Sequence, residues 1–237
     1  MIILRSCRVF GLLVSHYSHG LGSSGPQSSR LYASWTEEKK RPYWKTLRRL
    51  ILGAPSPPYK KVVQTGDPVL RLQTQLVPQD RISHPDTQVI LKRMVHILRS
   101  GDCMGISAPQ LGVPLRIIAL ELREGMCKLP SELMAEREIH PFPLKIFINP
   151  TMRILDSRKL HFHENCTSLH GFSALVPRCH SVEISGLNEK GDPTSWKAHG
   201  WAARAAQHEM DHLDGVLYID KMFPRTFVNL RWQEVND

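Results

Sequence analysis

The 237-residue sequence lacks most of the features that would sort it at a glance. No stretch approaches the roughly 20 consecutive apolar residues that a membrane-crossing helix needs. Its five cysteines, Cys7, Cys103, Cys127, Cys166 and Cys179, are odd in number and suggest no disulfide framework. Internal repeats and low-complexity tracts are absent, which argues against a solenoid or a fibrous chain. Strand-like and helix-like segments do not alternate as a parallel α/β sheet requires. Acidic residues are missing altogether from residues 1–36.

That last absence organises the charge. The net charge of +9 suggests a nucleic-acid partner, but its distribution argues otherwise. Residues 1–52 carry nine Lys/Arg against Glu37 and Glu38, which is +7, and the other 22 Lys/Arg and 20 Asp/Glu leave only +2. The body of the chain is nearly neutral, so direct nucleic-acid binding has no electrostatic support. Residues 1–36, with Arg5, Arg8 and Arg30 and many serines, read as an organellar transit peptide. A secretory signal is the rival, since residues 1–4 and 9–14 are apolar, but Arg5 and Arg8 cut that run short. Residues 39–52 are either the end of this leader or an amphipathic extension. The expected division is therefore a mitochondrial transit peptide with a basic extension at 1–52 and one catalytic domain at 53–237.

What the chain does contain is His208-Glu209-Met210-Asp211-His212. Two histidines four residues apart lie about 40° apart on a helix, so both imidazoles can reach one ion. Glu209 sits where it can contact a water on that ion without being a ligand. The alanine-rich run from Trp201 predicts a helix, with Gly215 placed to end it. A surface helix that carries these residues by chance is the alternative. A third ligand must come from elsewhere, because no His-x-x-Gly-x-x-His extension follows. Downstream the choice is Glu234, in a segment without helical pattern; upstream it is Cys166, in the polar, turn-like stretch Glu164-Asn165-Cys166-Thr167-Ser168-Leu169. Ligation by Glu234 would suit an HExxH zinc endopeptidase.

Three motifs in order resemble the peptide deformylase family, most of all its mitochondrial members. They are Gly105-Ile106-Ser107-Ala108-Pro109-Gln110-Leu111-Gly112, then Glu164-Asn165-Cys166-Thr167-Ser168, then Gln207-His208-Glu209-Met210-Asp211-His212-Leu213-Asp214-Gly215. The resemblance implies that Cys166, His208 and His212 hold one divalent metal, Fe²⁺ in preference to Co²⁺ or Zn²⁺, with the fourth position open to water. It implies Glu209 as general base and acid, and the Gln110 amide with the Thr167 N–H as oxyanion donors. Gly105, Ile106, Leu169 and residues near 201–205 would bind the substrate methionine. The implied reaction removes the formyl group from formyl-methionine on nascent polypeptides in the mitochondrial matrix, and the resemblance also allows a homodimer. The implied fold is α+β, with antiparallel β-sheets packed around a central HExxH helix.

Two positions depart from the family, which usually has glycine where Asn165 and Cys103 stand. Asn165 reads either as a residue in a left-handed backbone, which asparagine tolerates better than most residues, or as an ordinary extended residue facing solvent. Cys103 reads as a small buried residue rather than a second thiol at the site. His161, His163 and His170 are expected in or beside the cysteine loop, and Glu164 and Arg178 as its anchors. Helical spacing of Val89, Ile90, Met94, Ile97 and Leu98 predicts a core helix over Pro85–Ser100 ended by Gly101, and strands are predicted at 115–122, 145–152 and 180–187.

Overall fold

The computed structural model describes residues 55–101 and 103–235. The leader at 1–52 lies outside the described residues. Three α-helices, one of them short, and six strands carry the fold among the described residues. Helix α1 is Pro85–Ser100, followed by β1 (Gly105–Ser107), β2 (Ile117–Leu122), the short α2 (Ser131–Glu136), β3 (Phe142–Cys166), β4 (Leu169–Leu187), β5 (Pro193–His199), α3 (Gly200–Leu213) and β6 (Val228–Asn229). The sheet runs β1-β2-β3-β4-β5, with β6 added to β4, and every strand pair is antiparallel. This is the α+β arrangement that the sequence predicts, with neighbours in sequence paired in space.

Strand β2 shows how the core is divided. Its run Ile117-Ile118-Ala119-Leu120-Glu121-Leu122 is buried at every position, as a strand covered on both faces must be. Ile118, Leu120 and Leu122 join the cluster that includes Trp201, Ala203, Ala206, Met210 and Leu213 of α3. Ile117 and Ala119 join Ile90, Leu91, Met94, Ile97 and Leu98 of α1. Period-2 alternation thus sends alternate side chains to two helices. The charge on the α1 face is neutralised, since Arg99 donates to both oxygens of Glu121 at 2.8 and 2.9 Å.

Helix α1 begins at Pro85 after His84, whose Nδ1 accepts from the Asp86 N–H, and ends at Gly101, whose N–H donates to Ile97 O. Its buried stripe is Thr87, Ile90, Leu91, Met94, Ile97 and Leu98. Val89 is a correction: it sits one step off that stripe and is exposed. Helix α3 is buried along its length, every residue except Ala202. Gly215, at φ 71°, turns the chain after it, and a Cβ there would lie 2.7 Å from Arg71 O. That is the stop the sequence predicts.

The strands run beyond their predicted limits. β3 spans 25 residues and β4 spans 19, forming one long hairpin. Register shifts at Ile154/Asp156 and Asp156/Lys159 break the period-2 pattern in β3, whose middle is exposed and charged. In β4, Gly171 and Pro177 are residues that weaken a strand reading. β5 was not predicted; its Trp196 and Ala198 alternate with exposed polar residues. No helix among the described residues is long and apolar enough to cross a membrane.

Candidate metal centre

Helix α3 and the β3–β4 hairpin meet at one buried point. His208, Glu209 and His212 come from the last turns of α3, and Cys166 is the final residue of β3, paired with Leu169 across a two-residue turn, Thr167-Ser168. One ligand atom each from Cys166, His208 and His212 lies within 4.8 Å of the others, and all three residues are buried. Cys166 Sγ is 3.3 Å from His212 Nε2, and the two imidazole rings stand nearly edge to face, 5.0 Å apart. Glu234 is exposed and outside this group.

The support behind the histidine is a carboxylate with three cationic or polar partners. Glu164 is fully buried and receives both Arg178 Nε and Nη2 at 2.9 Å, Arg204 Nη1 at 2.7 Å and His208 Nδ1 at 3.0 Å. Burial pushes the Glu164 carboxyl up, but the Arg178 charge, its hydrogen bonds and His208 outweigh this and hold it well below the usual carboxylate range. Arg178 in turn donates to Asp211 at 2.5 Å, and Asp211 accepts from Lys221 at 2.6 Å. An ionised Glu164 accepts the His208 Nδ1 proton and so fixes the tautomer. His208 Nε2 is then the ring nitrogen left for a ligand; it is buried and without a hydrogen-bond partner among the described residues. One thiolate, two imidazoles and an orphaned ring nitrogen aimed at them fit a divalent transition metal.

Gln110 is oriented by its own turn. Its Oε1 accepts from the Ser107 N–H at 3.0 Å and from Ser107 Oγ at 3.2 Å. Because the backbone N–H can only donate, the amide oxygen must face Ser107 and the NH₂ must face the site. There Nε2 lies 3.6 Å from Cys166 Sγ and 3.2 Å from Ser168 Oγ. Ser107 was not singled out from the sequence, although Ser-x-x-Gln before a helical turn is a readable capping signal. Arg204 was missed too. Nothing in its alanine-rich surroundings marks it as a partner of Glu164.

Glu209 is buried against β1. A Cβ on Gly105 would fall 2.6 Å from Glu209 Oε1 and 2.8 Å from its Cγ, so only glycine leaves the carboxylate where it is. The next residue points the other way. Ile106 is fully buried in the α1 core, because on a strand the neighbours of Gly105 face the opposite side. Leu169 packs beside Cys166 with Ala174, Val176 and Tyr218. Trp201 packs on Phe162 at 5.7 Å, with Arg137 and Arg204 over both rings.

Of the two readings of Asn165, the structure has the extended one, but with the residue buried and not facing solvent. The only non-glycine residues at positive φ among the described residues are Glu138 and Asn149. Asn165 is an extended, buried strand residue at the register shift between Glu164 and Cys166, so the pairing irregularity, not a left-handed backbone, marks the place. Cys103 is fully buried in the α1 core with Sγ 3.5 Å from Leu98 O, as a small core residue. His161, His163 and His170 lie on β3 and β4 rather than in a loop, and none belongs to the ligand group.

Residues 59–227 match the family model for polypeptide deformylase. The chain is similar to the human mitochondrial peptide deformylase, 51% identical over 199 residues that make up 84% of this chain and 82% of that one. It is 41% identical over 167 residues to the chloroplastic peptide deformylase 1A of Solanum lycopersicum, covering 70% of this chain and 60% of that one. Among solved structures, the Synechococcus elongatus peptide deformylase in complex with actinonin is 30% identical with a TM-score of 0.59, covering 75% of this chain and 86% of that one.

Proposed function

From its membership of the polypeptide deformylase family, to which this chain belongs by the match over residues 59–227 and the 51% identity to the human mitochondrial protein, we infer how this site works. The chain is a metal-dependent hydrolase that removes the N-formyl group from the formyl-methionine of newly made organellar proteins. Endopeptidase activity is not favoured. The observation that carries the mechanism is the convergence of Cys166, His208 and His212 within 4.8 Å, with the Gln110 amide 3.6 Å from Cys166 Sγ.

In this reading Cys166, His208 and His212 hold one ion, which when bound polarises the formyl group and lowers the pKa of water. Glu209 accepts the proton of the attacking water and returns it to the amine as the formyl C–N bond breaks, releasing formate and a free N-terminus. The Gln110 amide, with its orientation set by Ser107, and the Thr167 N–H, adjacent to Cys166, donate to the developing oxyanion. Strand β1 is an edge of the sheet, so the main chain of Gly105 and Ile106 can take an extended peptide, with Leu169 and residues near Trp201 on the methionine side chain. The near-complete burial of α3 supports its place as the centre around which the sheet is built.

Fe²⁺ is the proposed resident ion, with Co²⁺ and Zn²⁺ as substitutes at the same thiolate–imidazole set. Exposed Met152 and Ile154 on β3 support the homodimer. The test is formate release from formyl-Met-Ala-Ser by the Fe²⁺, Co²⁺ and Zn²⁺ forms, with acetyl-Met-Ala-Ser as control. All active forms should release formate and leave internal peptide bonds intact; cleavage within a longer peptide would restore the endopeptidase reading.

The basic, acid-free start of the chain supports a transit peptide at 1–52 that delivers a catalytic domain at 53–237 to the matrix. A fluorescent protein fused after Leu52 should co-purify with the mitochondrial matrix, and its secretion would overturn the assignment.

A further inference from the structure

We propose that Gln64 and Thr65, which lie outside all three motifs, are positioning residues for the oxyanion donors; this rests on the roles proposed above for Gln110 and Thr167. The turn that carries Thr167 has an unusual need for external support. Two-residue hairpin turns favour types whose first central residue has positive φ. Thr167 and Ser168 are not among the described residues with positive φ. The turn therefore lacks the backbone hand that would hold it by itself, and its neighbours supply the hold.

That hold comes from an extended segment ahead of the first motif. Gln64 Nε2 donates to Thr167 O at 2.9 Å, and the Thr65 N–H and Oγ1 donate to Ser168 O at 2.6 and 2.8 Å. Gln64 Nε2 also lies 3.3 Å from Val62 O, so both its neighbours are carbonyl acceptors and only the NH₂ can face them. Both carbonyls of the turn are thus occupied from one side. The same segment grips the other donor: the Val63 N–H donates to Gln110 O at 2.9 Å and the Tyr59 N–H to Leu111 O at 2.8 Å. A single short stretch, residues 59–65, spans the Gln110 turn and the Thr167 turn, two places 57 residues apart in sequence and adjacent in space. With Cys166 held by its pairing to Leu169, fixing the two following peptide planes restricts rotation of the Cys166–Thr167 plane, which carries the Thr167 N–H.

The substitution Gln64→Glu keeps the shape and removes the donor, whereas Gln64→Lys keeps a donor. Thr65→Val removes the hydroxyl, whereas Thr65→Ser keeps it. Misplacement of catalytic geometry by about 1 Å costs up to ~10²-fold, so Gln64→Glu and Thr65→Val should each lower kcat on formyl-Met-Ala-Ser by roughly five- to tenfold, with KM within about twofold. Metal content should be unchanged, and Gln64→Lys and Thr65→Ser should recover most of the rate. The decisive measurement places Gln64→Glu in a Gln110→Ala background. Gln64 acts on the Thr167 donor and not on the Gln110 amide, so the loss should persist undiminished there. A loss that vanished in the Gln110→Ala background, or a kcat for both variants matching wild type, would overturn the positioning role while leaving the deformylase intact. A wild-type protein that released no formate would instead bring down the reading beneath it, and this role with it. Gln64 is exposed, so its two variants keep the test open even if Thr65→Val does not fold.

Discussion

The Glu209→Gln protein is expected to keep its metal and lose its reaction. Glutamine preserves the shape that packs against Gly105 but cannot accept the water proton, so kcat should fall by at least the ~10²–10⁴-fold typical of a lost general base. Metal analysis after gel filtration should show one ion per chain, as in the wild type. The two measurements separate the roles available to a carboxylate beside an ion. If the variant released formate at the wild-type rate, Glu209 would not be the base; if it lost its metal, Glu209 would be a ligand.

Cys166→Ala should have the opposite signature. It removes one of the three proposed protein ligands, and the two remaining imidazoles should not retain the ion through chelation and gel filtration. A ligand that binds only the folded state stabilises it by about 4 kcal/mol at 1,000 times its Kd. The wild type should therefore melt at higher temperature when metal is added, and Cys166→Ala should gain nothing. Glu234→Ala, altering an exposed residue outside the ligand group, should behave as wild type in both measurements. Loss of metal from the Glu234 variant with retention by the Cys166 variant would reverse the ligand assignment.

The metal centre was legible in the sequence because its chemistry restricts residue types at fixed spacings. Two His and a Glu on one helical turn can be read before any fold is known. Cys166 against Glu234 could not be decided by spacing, because the thiol that joins the two histidines arrives from a hairpin rather than from the helix. Helix α1 was legible by its 3.6-residue stripe, and β2 by its apolar run. The long β3–β4 hairpin was not, since bulges shift its register and its middle is charged and exposed. Ile106 and Asn165 show a different limit: a motif places residues in a neighbourhood, but strand alternation decides which side chain enters the site. Arg204 illustrates the remainder, because a buried ion pair depends on where a sequence-distant carboxylate ends up.

The hairpin tip that bears Cys166 is secured from two directions. Gln64 and Thr65 hold Thr167 and Ser168, while β6 pairs with Phe172 and Ser173 and the Leu230 N–H donates to Gly171 O at 2.8 Å. Both sets of contacts join places far apart along the chain, and such contacts form late because the loop between them must close first. The β2–β3, β3–β4 and β4–β5 pairings join sequence neighbours and can form earlier. The connectivity thus leaves the surroundings of Cys166 among the last contacts to close, and until then the chain carries His208 and His212 without the thiol side of the group in place.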